Sequence, residues 1–442
     1  MKNYRNDLYT HNRHLVQLIT KNGTKNIYDA VSSCTRCGYC LEVCPTYLVG
    51  KKETLSPRAR NQIVRMLIEG KYKDVNTATY SIDTCLLCGA CSKICYGNVA
   101  TADIVLEARR EEKKFGKSFF YKAILFLRMR KKIFDFILKI LYLFHNLKLS
   151  YIADKLGIFT FLGYPSISTA IKKTQKLPKK FFHSSIDDLI GNCEKPKWIY
   201  FLTCGTDYLF PEVGKSTIKT LKKLYGDGIF MNNECCGLIS YNYGSIEDAK
   251  KLAIKNIEIY EKIKTENPNT FIVADCSSCV AFMKSYPQMF SEELEKDLYL
   301  KAKEFSSKVK DIVEVIKPEY INKPDTEQIK GKIVTIHHSC KAYNDQGLKD
   351  NQEMVLKPIL KENLVNLNES NICCGGAGAY AFTKPEFSNL ILKRKVSNIA
   401  KTHADIVLVS STSCLMQIRY GVSKYYPHTK VMHYIELIDK II

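Results

Sequence analysis

The sequence predicts an α/β protein in which an N-terminal α-helical domain precedes two pseudo-repeated α/β Cys-Cys-Gly domains with parallel sheets. Three observations predict it. Two runs of four cysteines near the N-terminus flank a segment whose apolar residues recur at helical spacing. From about Pro196 onward, an order of strand, Cys, Cys-Cys-Gly, helix and strand occurs twice. Between these parts lies a stretch that is both basic and apolar. At 442 residues the chain exceeds what one core supports, and we divide it at 1–112, 113–195, 196–325 and 326–442.

The first domain is defined by Cys34-x2-Cys37-x2-Cys40-x3-Cys44-Pro45 and Cys85-x2-Cys88-x2-Cys91-x3-Cys95, the spacing of bacterial two-cluster ferredoxins. Three thiolates two residues apart wrap one face of a cluster, and the fourth is directed to the other cluster. That assigns Cys34, Cys37, Cys40 and Cys95 to one [4Fe-4S] centre, and Cys85, Cys88, Cys91 and Cys44 to a second. A zinc site takes two Cys-x2-Cys pairs per metal and leaves the third and fourth Cys of each run without a role. The chain has eighteen cysteines and no apolar stretch of signal-peptide length between Met1 and Thr20. A reducing, cytoplasmic setting with free thiols is therefore expected. Between the runs, Pro57 suits a helix start, and Ile63, Val64, Met66, Leu67 and Ile68 form an apolar face closed by Gly70. Arg58 and Arg60 on that helix either offset cluster charge or form an ordinary solvated face.

The formal net charge is +21, but 54 of the 66 basic residues are Lys and no nucleic-acid-binding signature accompanies them, so no nucleic-acid partner is expected. More than half of the excess lies between Lys117 and Lys180, where fourteen basic residues stand against Asp135 and Asp154. The same stretch is apolar at Phe119-Phe120-Tyr121, Ala123 to Leu127, Ile133-Phe134, Phe136 to Leu138 and Ile140 to Phe144. Lys122, Arg128, Arg130, Lys131, Lys132, Asp135 and Lys139 interrupt every window of spanning length, which argues against a transmembrane helix. A basic amphipathic helical connector is expected instead. It suits the inner face of the cytoplasmic membrane as a peripheral attachment, or it covers a core or a partner subunit, since Lys stems lie on protein as readily as on lipid.

The repeat is written in cysteine. Its first copy runs from a strand at Trp198 to Leu202 into Cys204, then Cys235-Cys236-Gly237, and ends with a strand at Phe271 to Ala274 that delivers Cys276 and Cys279. In the second copy a strand at Lys332 to Ile336 leads to Cys340, followed by Cys373-Cys374-Gly375 and by Ile406 to Val409 before Cys414. A helix-period segment precedes the last strand in each copy, at Ile246 to Ile263 and Lys384 to Thr402, which is βαβ logic and gives parallel sheets. Cysteines at strand ends converge where α/β sheets place ligands. Aligning Ala274-Asp275-Cys276-Ser277-Ser278-Cys279 on Val409-Ser410-Ser411-Thr412-Ser413-Cys414 puts Ser411 opposite Cys276, so copy two is one thiolate short. Five cysteines in copy one suit a further, larger iron-sulfur cluster or a redox-active pair. Four in copy two leave a cluster, a zinc ion or an empty site open. His337 and His338 are available as an additional ligand, although a His at a strand end is commonly a satisfied core residue. Cys193 belongs to neither copy and has no assigned role.

These residues carry a resemblance. The two-cluster ferredoxin followed by two Cys-Cys-Gly repeats resembles the iron-sulfur subunits of the heterodisulfide reductase, anaerobic glycerol-3-phosphate dehydrogenase and glycolate oxidase family, the glycolate oxidase branch above all. The similar segments are Cys37 to Tyr47, Ser56 to Arg60, Asp83 to Cys88, Cys279 to Tyr286 and Cys373 to Pro385, and they leave about residues 110 to 195 unmatched. Tyr96 stands where the family has Pro, and His338-Ser339-Cys340 replaces its Asp-Pro-Cys. The resemblance implies an electron-transfer subunit with a flavoprotein (FAD) partner that oxidises a 2-hydroxy acid such as glycolate or D-lactate, with quinone or another carrier as acceptor. The chain alone is then expected not to be catalytic. No Gly-x-Gly-x-x-Gly after a strand and no Walker loop accompanies the cysteines. Two other readings stay open: a heterodisulfide-reductase-like catalytic subunit working at the copy-one cysteines, and a metal-stabilised scaffold.

Overall fold

The computed structural model describes residues 27–71, 74–113, 130–161, 163, 165–174, 177–191, 193–265, 267–321 and 323–442. The apolar runs at Phe119-Phe120-Tyr121 and Ala123 to Leu127 lie outside them.

The N-terminal part is helical, as its periodicity dictates. Pro57–Ile68 begins with Pro57 at the first helical position, and the Ser56 side chain accepts from the Ala59 backbone N–H. Asp74 caps Val75–Asp83 in the same way. Ile63, Val64 and Ile68 bury against Val31, Ile82, Ile104 and Val105, the last two from the helix Thr101–Lys113. Met66 and Leu67, placed on the same face by the sequence, are only half-buried.

Each copy of the repeat forms a four-stranded parallel sheet. Strands β1 (Trp198–Tyr200), β2 (Gly228–Phe230), β3 (Phe271–Ala274) and β4 (Val309–Asp311) lie in the order β2-β1-β3-β4. Strands β5 (Val334–Ile336), β6 (Leu364–Val365), β7 (Ile406–Val409) and β8 (Lys430–His433) repeat it as β6-β5-β7-β8. The central strands β1, β5 and β7 are buried along their whole length, which explains why they are continuous apolar runs without alternation. The flanking strands are short or mixed, as in Val309-Lys310-Asp311, and carry no such signal. In this order the chain switches direction between β1 and β3, and between β5 and β7, so crevices open at the carboxyl ends of those strands. The two copies share one core: the helix Tyr434–Ile441 packs on Pro211–Tyr225, where Ser216 donates to Asp439 at 3.0 Å.

The connector supplies helices Lys131–Asn146, Leu149–Lys155 and Pro165–Lys173. One face of the first docks on copy one. Tyr208 donates to Asp135 at 2.8 Å, Tyr142 donates to the Tyr208 carbonyl at 2.6 Å, and Phe134 meets the Tyr208 ring edge-on. The opposite face leaves Phe136, Ile140 and Leu143 exposed, and Leu147, Ile152 and Leu156 are exposed just beyond it, on and around the helix Leu149–Lys155. Among the described residues no single helix is long and apolar enough to cross a membrane; Lys131–Asn146 and Leu149–Lys155 reach that composition only as a pair bent by 72°.

Packing in copy one is tight where β2 passes β1: a Cβ on Gly228 would lie 2.2 Å from the Trp198 indole. Gly228→Ala is expected to destabilise this domain by about 1–3 kcal/mol. The fluorescence of Trp198, the only tryptophan in the chain, reports the lowered melting temperature.

Candidate metal centres

The two ferredoxin runs fold as matching loops. Arg36 and Gly38 flank Cys37 at φ 59° and 97°, and Leu87 and Gly89 flank Cys88 at φ 52° and 76°. Repeated left-handed residues turn successive backbone N–H groups toward a concavity that favours an anion, as a thiolate-ligated cluster is. Backbone N–H groups already point at sulfur: Leu87 donates to Cys85 Sγ and Val99 to Cys95 Sγ, both at 3.4 Å. Cys44 lies between the runs: its thiol acts on Cys40 together with that of Cys34, and on Cys91 together with those of Cys85 and Cys40. A Cβ on Gly97 would meet both Cys95 Sγ at 3.9 Å and the carbonyl of Ser33, next to Cys34, at 3.5 Å. Cys37 is exposed, and the Tyr39 backbone N–H holds its thiol below the usual range.

The two arginines on the intervening helix part ways. Arg58 is a surface residue paired with Glu53 at 2.8 Å. Arg60 is fully buried with no carboxylate beside it; it donates to the Ser81 carbonyl at 2.8 Å, to Thr46 at 3.1 Å and to Thr84 at 3.2 Å, and approaches Cys44 Sγ at 3.7 Å. Arg109, from the next helix, donates to the carbonyls of Ile82, Asp83 and Cys85 and also to Asn242 of copy one. It ties the start of the second run to the first sheet domain.

In copy one, Cys235, Cys236, Cys279 and Cys276 form a chain of neighbouring thiols. Cys204 lies at its outer end, lining a small cavity with Cys235, Asn233 and the connector residues Lys131 and Phe134. Hydrogen bonds from Cys279, Ser411 and Thr412 hold the buried Cys276 thiol well below its usual range. The Tyr286 hydroxyl donates to the Cys236 carbonyl at 2.7 Å, and Asn256 to the Cys235 carbonyl at 3.1 Å, fixing the Cys-Cys-Gly turn.

In copy two, Cys340, Cys373, Cys374 and Cys414 form the corresponding chain. The two histidines before Cys340 diverge. His338 pairs with Glu353 at 2.8 Å. His337 turns inward, and one of its ring nitrogens, Cys374 Sγ and Cys414 Sγ all lie within 4.8 Å of one another. Two buried lysines surround the site: Lys173 donates to Ser388 at 3.0 Å and Gln417 at 3.1 Å, and Lys395 donates to the Glu369 carbonyl. Burial pushes both ammonium groups down to about 8. Two buried cations beside four thiols suit an anionic, thiolate-ligated occupant.

The four groups are not strung in sequence order. Asn344, just after Cys340, donates to the Cys88 carbonyl at 2.9 Å, and Tyr380, just after the second Cys-Cys-Gly, donates to the Thr84 carbonyl at 2.9 Å. Cys88, Cys373 and Cys340 meet in one apolar cluster. Across the other side of copy two, Ser411 contacts Cys276 at 3.2 Å and Ser277 donates its backbone N–H to the Ser410 carbonyl at 3.0 Å. The second ferredoxin run therefore abuts copy two, and copy two abuts copy one. Cys193 stands apart, in a shallow surface hollow with Asp187 and Glu194.

Such an arrangement defines an iron-sulfur protein built of one ferredoxin-type and two cysteine-rich units. A 4Fe-4S dicluster domain model matches residues 30–99, and a cysteine-rich domain model matches 198–284 and 334–419. The chain is similar to the glycolate oxidase iron-sulfur subunit of Escherichia coli, at 24% identity over 92% of this chain and 93% of that protein. A Bacillus subtilis relative named "Probable glycolate oxidase iron-sulfur subunit" is 25% identical over 89% of each chain. Lactate utilization protein A 1 of Bacillus mycoides is 28% identical over 54% of this chain and 95% of its own length. The resemblance seen in the motifs thus extends along about nine-tenths of the sequence, on a chain that carries one 4Fe-4S dicluster domain and two cysteine-rich domains.

Sequence reasoning did not single out Lys173, Lys395 or Arg109. Lys395 had a signal: it sits among Ile391, Leu392, Val396 and Ile399 on the buried face of its helix. Lys173, in a Lys-rich segment, had none. Arg60 generates a test. Removing its charge at roughly 5 Å and an effective dielectric of about 20 is worth about 3 kcal/mol. Arg60→Met should therefore lower the midpoint potential of the centre beside Cys44 by on the order of 100 mV, with the other centres nearly unchanged, in a redox titration followed by electron paramagnetic resonance.

Proposed function

We propose that this chain is the electron-transfer subunit of a 2-hydroxy acid oxidoreductase complex, drawing electrons from a flavoprotein that oxidises glycolate or D-lactate and passing them toward quinone. The observation that carries the reading is the unbroken series of cysteine groups from the exposed Cys37 loop through Cys88, copy two and Cys276 to Cys204. In this reading Cys34, Cys37, Cys40 and Cys95 hold the entry [4Fe-4S] centre and Cys85, Cys88, Cys91 and Cys44 the next, while both Cys-Cys-Gly sites hold iron-sulfur clusters. Bound clusters supply one-electron redox chemistry. The chain's own residues space them, exclude water and set their charge through Arg60, Lys173, Lys395 and backbone N–H groups.

Entry at the first centre is supported by its exposure: Tyr39 and Tyr96 stack edge-on at 5.2 Å beside Cys37, with Tyr96 82% exposed. Exit at copy one is supported by the Cys204–Cys235 cavity beneath the connector helix, whose outer face is apolar. We propose that this face rests on the cytoplasmic membrane, where quinone is available.

Reconstitution tests the function. The purified chain should be brown, contain no flavin, and fail to oxidise glycolate or D-lactate with an artificial dye. Quinone reduction should appear on adding the flavoprotein subunit and fall at least tenfold in Cys88→Ser, while dye reduction by the flavoprotein persists. Disulfide reduction by the isolated chain, or quinone coupling that survives cluster loss, would overturn the reading. Fractionation tests the attachment: carbonate or high salt should release the protein from native membranes, whereas release only by detergent would contradict a peripheral mode.

A further inference from the structure

We infer that His337 is a metal ligand of the copy-two centre, taking the ligand role that Cys276 fills in copy one. The inference rests on the proposed reading of copy two as an iron centre and specifies how that centre is held.

The two copies differ at two positions in a reciprocal way. Copy one has a thiol at Cys276 and an apolar ring, the fully buried Phe201, three residues before Cys204. Copy two has a hydroxyl at Ser411, and three residues before Cys340 it has His337. Ser411 is spent on Cys276 and Ser278, both at 3.2 Å, so it faces the other copy. The donor that copy two loses at the start of the helix Thr412–Tyr425 returns at the end of its first strand.

His337 is fully buried, and among the described residues neither ring nitrogen makes a hydrogen bond of ordinary geometry, whereas nearly all buried polar groups in folded proteins are partnered. The Ser370 carbonyl bears on the ring and, having two lone pairs, can take one ring N–H beside the His338 backbone N–H that it accepts at 3.2 Å; the other ring nitrogen is left with its lone pair, as in metal-ligating imidazoles. What the ring does face is sulfur: one of its nitrogens, Cys374 Sγ and Cys414 Sγ lie within 4.8 Å of one another. A tetrahedral ion with bonds of about 2.3 Å to sulfur and about 2.0 Å to nitrogen holds such atoms roughly 3.5–3.8 Å apart. Small side-chain movements would therefore bring the ring nitrogen into the same metal centre as the two sulfurs, where it would fill one position on an iron whose other positions go to bridging sulfur. Cys340 and Cys373 would remain for other irons of that centre.

Imidazole is neutral where thiolate is anionic, so mixed ligation makes the centre easier to reduce than its all-cysteine counterpart, as it does when His replaces Cys at one iron of a two-iron cluster. Copy two then carries the higher potential of the two repeats.

The test uses the anaerobically prepared full chain. Protein grown with 15N-histidine is compared with unlabelled protein by pulsed electron paramagnetic resonance, and Cys374→Ser identifies which signal belongs to copy two. A strongly coupled nitrogen on that signal, changed by the label and abolished in His337→Ala, is expected; His337→Cys should retain iron and shift that signal to a lower midpoint potential. A copy-two signal with no nitrogen coupling, or coupling that persists in His337→Ala, overturns the ligand assignment while leaving copy two a redox centre. Loss of zinc in place of iron in Cys374→Ser overturns the underlying reading together with it. The labelled wild-type spectrum decides the matter even where a variant fails to fold.

Discussion

Charge balance around buried sulfur is the constraint on which the interior of this protein depends. Arg60, Lys173 and Lys395 are buried to within a few per cent of full coverage, and among the described residues none of them makes an ion pair. An isolated cation moved from water into a protein interior costs several kcal/mol, and hydroxyls and carbonyls return part of that. All three stand beside cysteines: Arg60 at Cys44, and the two lysines in the field of Cys374. The missing anions are the thiolates, and thiolates persist when a metal or cluster holds them. Folding of the helical domain and of copy two is in this sense coupled to what the cysteines bind.

The same constraint accounts for how the two repeats differ. Copy one needs no buried lysine, because its most depressed thiol, Cys276, is stabilised by Cys279 and by hydroxyls that copy two lends across the interface. Copy two gives up the equivalent thiol to Ser411 and surrounds its remaining four with ammonium groups. The join at Ser277 and Ser410 sets the distance between the sites. A duplicated fold has thus become two unlike environments, which is what a series of carriers at graded potentials requires.

Much of this was legible in the sequence, and the limits are physical. Ligand spacing is local, so the ferredoxin runs and the Cys-Cys-Gly turns could be located by counting. The central strands β1, β3, β5 and β7 could be found because burial on both faces makes them mostly apolar and β-branched or aromatic; β2, β4, β6 and β8, at the sheet margins, carry no such continuous signal. The order of the sites in space was not legible. It depends on Asn344 reaching the Cys88 carbonyl and Tyr380 reaching that of Thr84, contacts across 256 and 296 residues. Arg58 and Arg60, two residues apart on one helix, were indistinguishable by sequence, and only the packing of Ser81 and Thr84 against the second of them separates a surface pair from a buried cation. His337 and His338 posed the same problem, and adjacent side chains at a strand end point to opposite faces, which is why one meets Glu353 and the other meets sulfur.

The connector gains meaning from the same geometry. Its helix Lys131–Asn146 contributes Asp135 and Tyr142 to Tyr208, one turn beyond Cys204, and its Lys131 and Phe134 close the cavity that Cys204 and Cys235 line. Any motion of that helix is therefore felt at the outermost cysteines of copy one. His183 strengthens the link, bonding Asp207 at 2.9 Å while approaching Asp135 at 3.7 Å. A helix bound only by its apolar face would slide. Pinned by Asp135 and Tyr142 to the cysteine-bearing helix Cys204–Tyr208, it would instead hold one end of the proposed electron path at a fixed depth relative to the proposed membrane surface.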